Sequence, residues 1–181
     1  MTREKKVLVN LYHLMAFALV AGNADVSTVF QSEAGFTITY PARYRTDQAE
    51  STSTKLYIYL ADSTPVDAIT VSTDDSFTEH ATLDTVTQKY ADAITTAYKD
   101  LKVLSKDRTT LGGHPAFRAV YRGVLPVQYA DDTVRTETLK VNQTWTIKSA
   151  RVYTLTYKAL ALDYNRYLPH ARQIMKSFTV T

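Results

Sequence analysis

The stretch 139-LKVNQTWTIKSARVYTLTY-157 alternates apolar and polar residues on either side of a short break at residues 148–151. A period of two is typical of β-strands, so the stretch predicts two strands joined as a hairpin. The core face of the first strand carries Leu139, Val141, Gln143, Trp145 and Ile147. We expect the turn to bring Tyr153 and Leu155 alongside that face. Trp145 is therefore predicted to be buried against a helix.

A second hairpin is predicted upstream of the first. Residues 103–111 reach the Gly112-Gly113 turn, and residues 117–122 alternate between two faces on the way back. Residues 125–132 indicate a loop in which Asp131-Asp132 forms a solvated turn. Alternation also predicts three shorter strands, over residues 36–40, 55–60 and 68–72.

A change of period from two to about 3.6 predicts a helix over residues 83–101. Its apolar stripe consists of Leu83, Val86, Tyr90, Ile94, Ala97 and Leu101. Thr82 is the predicted N-cap, because its hydroxyl can accept a hydrogen bond from the first-turn amides. Asp84 lies where the helix dipole favours a negative charge.

A second helix is predicted near the end of the sequence, with Asp163 as its N-cap. Its stripe consists of Tyr164, Leu168, Ala171, Met175 and Phe178. Pro169 has no amide hydrogen and disfavours the helical conformation of the residue before it. We therefore expect a short turn over residues 164–168 and the main helix from Pro169 onward.

These elements predict an α+β fold. Strands that follow one another through hairpins make a mainly antiparallel sheet. Residues 55–60 are apolar on both sides, so both faces of the sheet need cover. Two amphipathic helices provide it, which predicts one sheet flanked by helices on both faces, an α/β/α sandwich.

Four fold-making segments carry a family resemblance. They are Gly35-Phe-Thr-Ile-Thr-Tyr-Pro41, Gly112-Gly113-His114-Pro115-Ala116, Gln143-x-Trp145 with Arg151-Val-Tyr-Thr-Leu-Thr-Tyr157, and the stretch from Tyr167 to Ser177-Phe178. They resemble the PsbP-like family, which includes extrinsic oxygen-evolving proteins of photosystem II, a Ran-binding nuclear import factor and many bacterial exported proteins. Within that family the sequence most resembles the uncharacterised bacterial exported branch. The resemblance spans about residues 35–178 and implies an α/β/α sandwich, but no site residue, cofactor or metal ligand is carried over.

Residues 1–24 have the layout of a secretory signal. Arg3, Lys5 and Lys6 form a basic head, residues 7–20 are mostly apolar, and Gly22-Asn23-Ala24 offers a cleavage site. The apolar run is 14 residues long, shorter than the roughly 20 that a bilayer span requires. The alternative is an N-terminal core helix of a cytosolic protein. The preferred organisation is a signal peptide over residues 1–24, cleaved near Ala24, and a single domain over residues 25–181.

The charge and cysteine content exclude several function classes. The leader holds three of the 21 basic and one of the 18 acidic residues, which leaves 18 basic and 17 acidic residues in the domain. A nearly neutral domain without basic clusters offers no footprint for nucleic acid. The sequence has no cysteine, so thiol catalysis, zinc-thiolate sites and iron–sulfur clusters are excluded.

No enzyme signature is present. The sequence lacks G-x-S-x-G, H-E-x-x-H, a P-loop and G-x-G-x-x-G. His80, His114 and His170 fall in a loop, a turn and the last helix, so they predict no catalytic group. We therefore assign no catalytic, cofactor-binding or metal-binding residue and expect no cofactor.

One acidic cluster has two interpretations. Its members are Asp74, Asp75, Glu79, His80 and Asp84. Carboxylates and an imidazole at this density can coordinate a divalent cation. The simpler interpretation is that acidic residues before a helix stabilise its N-terminus, with Ser76-x-x-Glu79 as a capping box.

Three other features have a structural and a functional interpretation. Trp145, Tyr153 and Tyr157 form either core or a ligand platform, and their alternation favours core. Arg118 and Arg122 share a strand face, which indicates a solvated face or a contact with an acidic partner. Asn142-Gln143-Thr144 matches a glycosylation sequon but lies within a predicted strand.

The sequence favours a non-catalytic exported domain that binds a protein in the cell envelope, secreted or periplasmic, without a membrane span after signal cleavage. A ligand- or metal-binding accessory domain, using the acidic cluster at residues 74–84, is the first alternative. An enzyme of unrecognised type is the second. The partner's identity is not encoded in any motif.

We expect the exported protein to begin near Asp25, because the basic head, the short apolar run and the small residues at the cleavage site occur in order. Mass spectrometry of the protein recovered from its host measures this directly. An intact Met1 on a cytosolic protein would contradict the prediction.

Overall fold

The computed structural model describes residues 26–48, 53–61 and 66–181. The predicted signal peptide, residues 1–24, lies outside the described residues. The elements are β1 Ser27–Ser32, β2 Phe36–Pro41, β3 Thr46–Gln48, β4 Thr54–Tyr59, β5 Ala68–Asp74, α1 Leu83–Ala97, β6 Lys99–Leu111, β7 His114–Gln128, β8 Val134–Lys148, β9 Arg151–Leu160, α2 Tyr164–Lys176 and β10 Thr179–Val180.

The strands form two sheets. The large sheet has the order β3-β4-β5-β9-β8-β7-β6, and the small sheet has the order β1-β2-β10. Every pair of named strands is antiparallel. The α+β class with mainly antiparallel strands is therefore confirmed, but the prediction of one sheet is wrong. Phe36, Ile38 and Tyr40 of β2 alternate as predicted, yet they pack into the core from a separate layer.

The hairpin at residues 139–157 forms, but its pairing differs from the prediction in one respect. A two-residue turn at Ser149 and Ala150 joins β8 to β9, so Trp145 lies opposite Thr154. Residues opposite each other in an antiparallel pair share a face. Tyr153 and Leu155 therefore lie on the other face from Trp145, and the prediction that they lie alongside it is wrong.

The hydrophobic core has two main clusters. Trp145 belongs to one of them, with Val86 of α1, and its indole nitrogen donates to the Thr87 hydroxyl at 3.1 Å. Tyr157 belongs to the other, and its hydroxyl donates to the carbonyl of Tyr164 in α2 at 2.7 Å. The predicted burial of Trp145 is confirmed, since 1% of its surface is exposed.

The first helix is shorter than predicted. Thr82 caps α1 as expected, because the amide of Thr85 donates to its hydroxyl at 3.2 Å. The helix ends at Ala97, since Tyr98 adopts an extended conformation and packs edge-on against Tyr121 at 5.1 Å. A Cβ atom at position 123 would lie 2.8 Å from the Tyr98 side chain, so glycine at this position leaves room for the ring.

The second helix is continuous, so the predicted break before Pro169 is wrong. α2 begins at Tyr164 and contains Pro169 as its sixth residue. Pro169 lacks the amide that would donate to the carbonyl of Asn165 in the first turn. Asn165 is exposed, so water can bond to this carbonyl instead. Asp163 occupies the N-cap position but makes no side-chain capping bond, which corrects its predicted role.

The predicted loop at residues 125–132 is half strand. β7 continues to Gln128 because it pairs with β8 without a register shift. The chain then turns at residues 129–133, where the Asp131 carboxylate accepts from the amide of Thr133 at 3.1 Å. The predicted Asp131-Asp132 turn is confirmed at this position.

We expect Trp145→Ala to lower the free energy of unfolding by about 3–5 kcal/mol, because a buried indole and its hydrogen bond are lost. Urea denaturation followed by circular dichroism measures the change. Leu162→Ala is the control, since Leu162 is 97% exposed, and it should change stability by less than about 0.5 kcal/mol. Equal effects of the two substitutions would contradict the burial of Trp145.

Candidate functional site

The carboxylates of the acidic cluster point to separate cations. Asp74 contacts Lys89 at 3.5 Å, and Asp84 contacts Arg108 at 2.5 Å. Asp75 forms a bidentate pair with Arg151. Each of these carboxylates therefore has a cationic partner.

The cluster does not assemble into a metal site within the part of the chain that the structure describes. Glu79 and His80 are exposed, and no three histidine, cysteine or carboxylate side chains among the described residues lie close enough to hold a metal ion. Partial burial raises the pKa of Asp74, but the hydrogen bonds from Ser76 and the charge of Lys89 together outweigh it, so the pKa lies below its usual value.

The aromatic residues do not form a ligand platform. Trp145 is buried under α1, whereas Tyr153 and Tyr157 are buried on the other face of the large sheet. Burial raises the pKa of Tyr157 well above its usual value. These rings are core residues.

Arg122 lies in a row of three cations that crosses three strands. It is opposite Lys102 of β6 on one side and opposite Lys140 of β8 on the other. Neighbouring strands are about 4.8 Å apart, so the three Cα atoms span about 10 Å. We call Lys102, Arg122 and Lys140 the basic row.

The basic row has no neutralising carboxylate among the described residues. Lys102 and Arg122 are exposed, and no ion pair of any of the three residues occurs in that part of the chain. The Lys140 ammonium lies 4.3 Å from the centre of the Tyr164 ring. Like charges directly opposite each other in a sheet are destabilising, so the row imposes a cost on the folded state.

The surroundings of the row are also positive. Arg118 lies on the same face of β7, although Asp107 neutralises it at 2.9 Å. Burial raises the pKa of Tyr164, and the positive charges of Arg172 and Arg118 oppose that rise. Both arginines therefore act on the ring that lies beneath Lys140.

A buried acceptor lies beside the row. Asn142 is two residues along β8 from Lys140 and shares its face. Its side-chain oxygen is buried and has no hydrogen-bond partner among the described residues. A buried acceptor without a partner costs free energy. Asn142 is also the first residue of the glycosylation sequon, and it pairs with β7 on one side and β9 on the other.

Arg122 is the one member of the basic row that the sequence pattern predicted as a candidate contact residue; Lys102 and Lys140 were not predicted. Lys102 lies on a strand with charges of both signs, and Lys140 lies between apolar residues of β8, so neither lysine belongs to a local basic pattern. Only the pairing of β6, β7 and β8 brings the three cations together.

Several solved structures have the same arrangement of strands and helices. The solution structure of cyanobacterial PsbP (CyanoP) from Synechocystis sp. PCC 6803 aligns with a TM-score of 0.60 over 91% of this chain and 98% of its own, at 9% identity. LpqN, involved in cell envelope biogenesis of Mycobacterium tuberculosis, aligns with a TM-score of 0.54 over 86% and 90%, at 15% identity. PA94 from Pseudomonas aeruginosa aligns with a TM-score of 0.51 over 83% and 94%, at 14% identity.

The chain has a PsbP-like fold. The sequence matches no protein-family model and none of the curated protein sequences. The PsbP-like fold predicted from four segments of the sequence is therefore confirmed by structure alone. No helix among the described residues is both long and apolar enough to cross a bilayer.

We expect calcium, manganese or zinc at modest excess to leave the melting temperature unchanged within about 2 °C, because the carboxylates at 74, 75 and 84 already have cationic partners. Differential scanning fluorimetry measures the shift. A metal-dependent rise that disappears in His80→Ala would show that the cluster binds a cation.

Proposed function

We propose that this chain is an exported, non-catalytic domain that binds an acidic protein surface in the cell envelope through the basic row. The observation that carries the proposal is the cross-strand alignment of Lys102, Arg122 and Lys140 without a neutralising carboxylate in the described residues. A partner that supplies carboxylates removes the repulsion on binding. Complementary charges also raise the rate of encounter and select the correct partner.

We infer that α1 and α2 cover opposite faces of the large sheet, as in an α/β/α sandwich. Along β9, Thr154 bonds to Tyr90 of α1, whereas Tyr157 bonds to Tyr164 of α2. Odd and even positions of a strand lie on opposite faces. The basic row is on the face of Tyr157, but on β6, β7 and β8, whereas α2 packs mainly on β9 and β2. This position leaves Lys102 and Arg122 accessible to a partner.

The proposed location in the envelope rests on two supports. The basic head, apolar run and small residues at 1–24 have the pattern of a secretory signal. LpqN, which has the same fold, is involved in cell envelope biogenesis.

The proposed absence of catalysis rests on the placement of the titratable side chains. The His170 ring nitrogen bonds to the Tyr44 hydroxyl at 2.5 Å, and His80 and His114 lie elsewhere, before α1 and at the start of β7. Two open concavities of the described residues meet at the β8–β9 turn. They bring together the Asp75–Arg151 pair and exposed turn residues rather than a nucleophile and a base.

We expect Arg122→Glu to lower partner binding at least about tenfold while raising the melting temperature. The substitution removes the central charge of the row, which the partner needs, and it replaces two like-charge pairs with two opposite-charge pairs, each worth about 0.2–1 kcal/mol. Crosslinking in the native envelope followed by pull-down measures binding, and calorimetry measures stability.

Lys106→Glu is the matched control for this substitution. Lys106 is also exposed, and its substitution by glutamate changes the net charge by the same amount. Lys106 lies opposite Ala119, on the other face of the sheet. Pull-down should be retained in Lys106→Glu and should weaken with added salt in the wild type. Equal loss in both variants, or retention in both, would refute the basic row as the binding surface.

A further inference from the structure

The outer strands of the two sheets differ in how they are protected against pairing with other chains. An edge strand exposes unpaired amides and carbonyls, and proteins protect such edges with short strands, lysines or bulges. β3 has three residues. β10 has two residues and is bridged by Gly112 on its outer side. β6 is long, but it carries Lys99, Lys102 and Lys106 and has two register shifts.

β1 has none of these protections. It is six residues long, its sequence STVFQS contains no charge and no proline, and it pairs with β2 without a register shift. Val29 at its centre is 65% exposed. No described strand pairs with the outer edge of β1.

The hydrogen bonding of β1 to β2 shows which backbone groups face outward. The amide of Ala42 donates to the carbonyl of Val26 at 2.7 Å, so this pair is a hydrogen-bonded one. Hydrogen-bonded and non-hydrogen-bonded pairs alternate along an antiparallel ladder. The next pair joins Ser27 to Pro41, which has no amide hydrogen, in agreement with that alternation. The amides and carbonyls of Ser27, Val29 and Gln31 therefore point away from β2.

We propose that β1 pairs antiparallel with β1 of a second copy of this chain, about a two-fold axis at Val29. Val29 then exchanges two hydrogen bonds with Val29 of the second copy, and Ser27 exchanges two with Gln31 of the second copy. By symmetry, Gln31 exchanges two hydrogen bonds with Ser27 of the second copy. All the outward backbone groups of Ser27, Val29 and Gln31 are then hydrogen-bonded. The two small sheets become one continuous sheet.

The composition of β1 favours a second copy as the occupant. A two-fold axis places the central residue opposite itself, so a charge there would face an identical charge. β1 has no charge at any of its six positions, and the β-branched Val29 makes a favourable cross-strand pair with itself. An acidic or basic partner strand would find no opposite charge on this neutral edge.

Single cysteines test the proposed register, because the wild-type sequence has none. In Val29→Cys, the two Cα atoms of a hydrogen-bonded pair are about 5.5 Å apart, within the range that a disulfide requires. In Ser27→Cys, the two cysteines are about 14 Å apart, because each lies four residues from the other along the ladder. We expect a disulfide-linked dimer from full-chain Val29→Cys under mild oxidation, and no dimer from Ser27→Cys. Equal dimer formation by both variants, or none by either, would overturn the proposed register.

Sedimentation equilibrium of the full chain tests self-association without a crosslink. The interface is small, so the measurement covers about 5 to about 500 µM. We expect a monomer–dimer equilibrium that Val29→Pro abolishes. Proline removes only an outward amide and keeps the bonds between β1 and β2, which circular dichroism verifies. A wild-type monomer at every concentration would overturn the proposal, as would a dimer that persists in Val29→Pro.

Discussion

The two-residue turn between β8 and β9 fixes which side chains enter which core. Ser149 and Ala150 both adopt positive φ angles, 49° and 65°, a conformation that costs about 1–2 kcal/mol for each residue with a side chain. The turn places Trp145 opposite Thr154 and so sends Leu155 and Tyr157 to the other face. A one-residue shift would move every side chain of β9 to the opposite face of the sheet, and both faces of β9 carry buried residues. The same register brings Trp145 to Thr87 of α1 and Tyr157 to Tyr164 of α2.

Arg151, the first residue after that turn, joins three parts of the molecule. Its guanidinium donates to the carbonyl of Ala34 at 2.8 Å and forms a bidentate pair with Asp75. The hydrogen bond to Asp75, together with the charge of that carboxylate, raises the pKa of Arg151. The Tyr153 hydroxyl donates to the same carbonyl at 3.0 Å. Ala34 lies between β1 and β2, so these bonds tie the small sheet to the large one. Asp75 therefore has a structural role that its neighbours in sequence do not reveal.

The two surfaces with proposed roles are those where charges or backbone groups lack a partner among the described residues. The basic row retains a like-charge repulsion across three strands, and β1 retains unpaired backbone groups on an uncharged edge. Elsewhere in the described residues, comparable charges are paired and comparable edges are protected. Arg118 and Arg108 have carboxylate partners, and β6 carries the lysines that protect an edge. The contrast within one molecule distinguishes these two surfaces from ordinary solvated ones.

Elements with local causes could be predicted from the amino-acid sequence. Alternation marked β8 and β9, and it also placed Trp145 on the core face. The 3.6-residue period and Thr82 marked the start of α1. Tertiary structure decided the end of α1, where Tyr98 is extended and packs against Gly123 and Tyr121. It also decided the continuity of α2 through Pro169, the separation of the acidic residues onto different cations, and the basic row. These features depend on which residues meet across strands, and a periodic pattern along one strand contains no information about its partner's register.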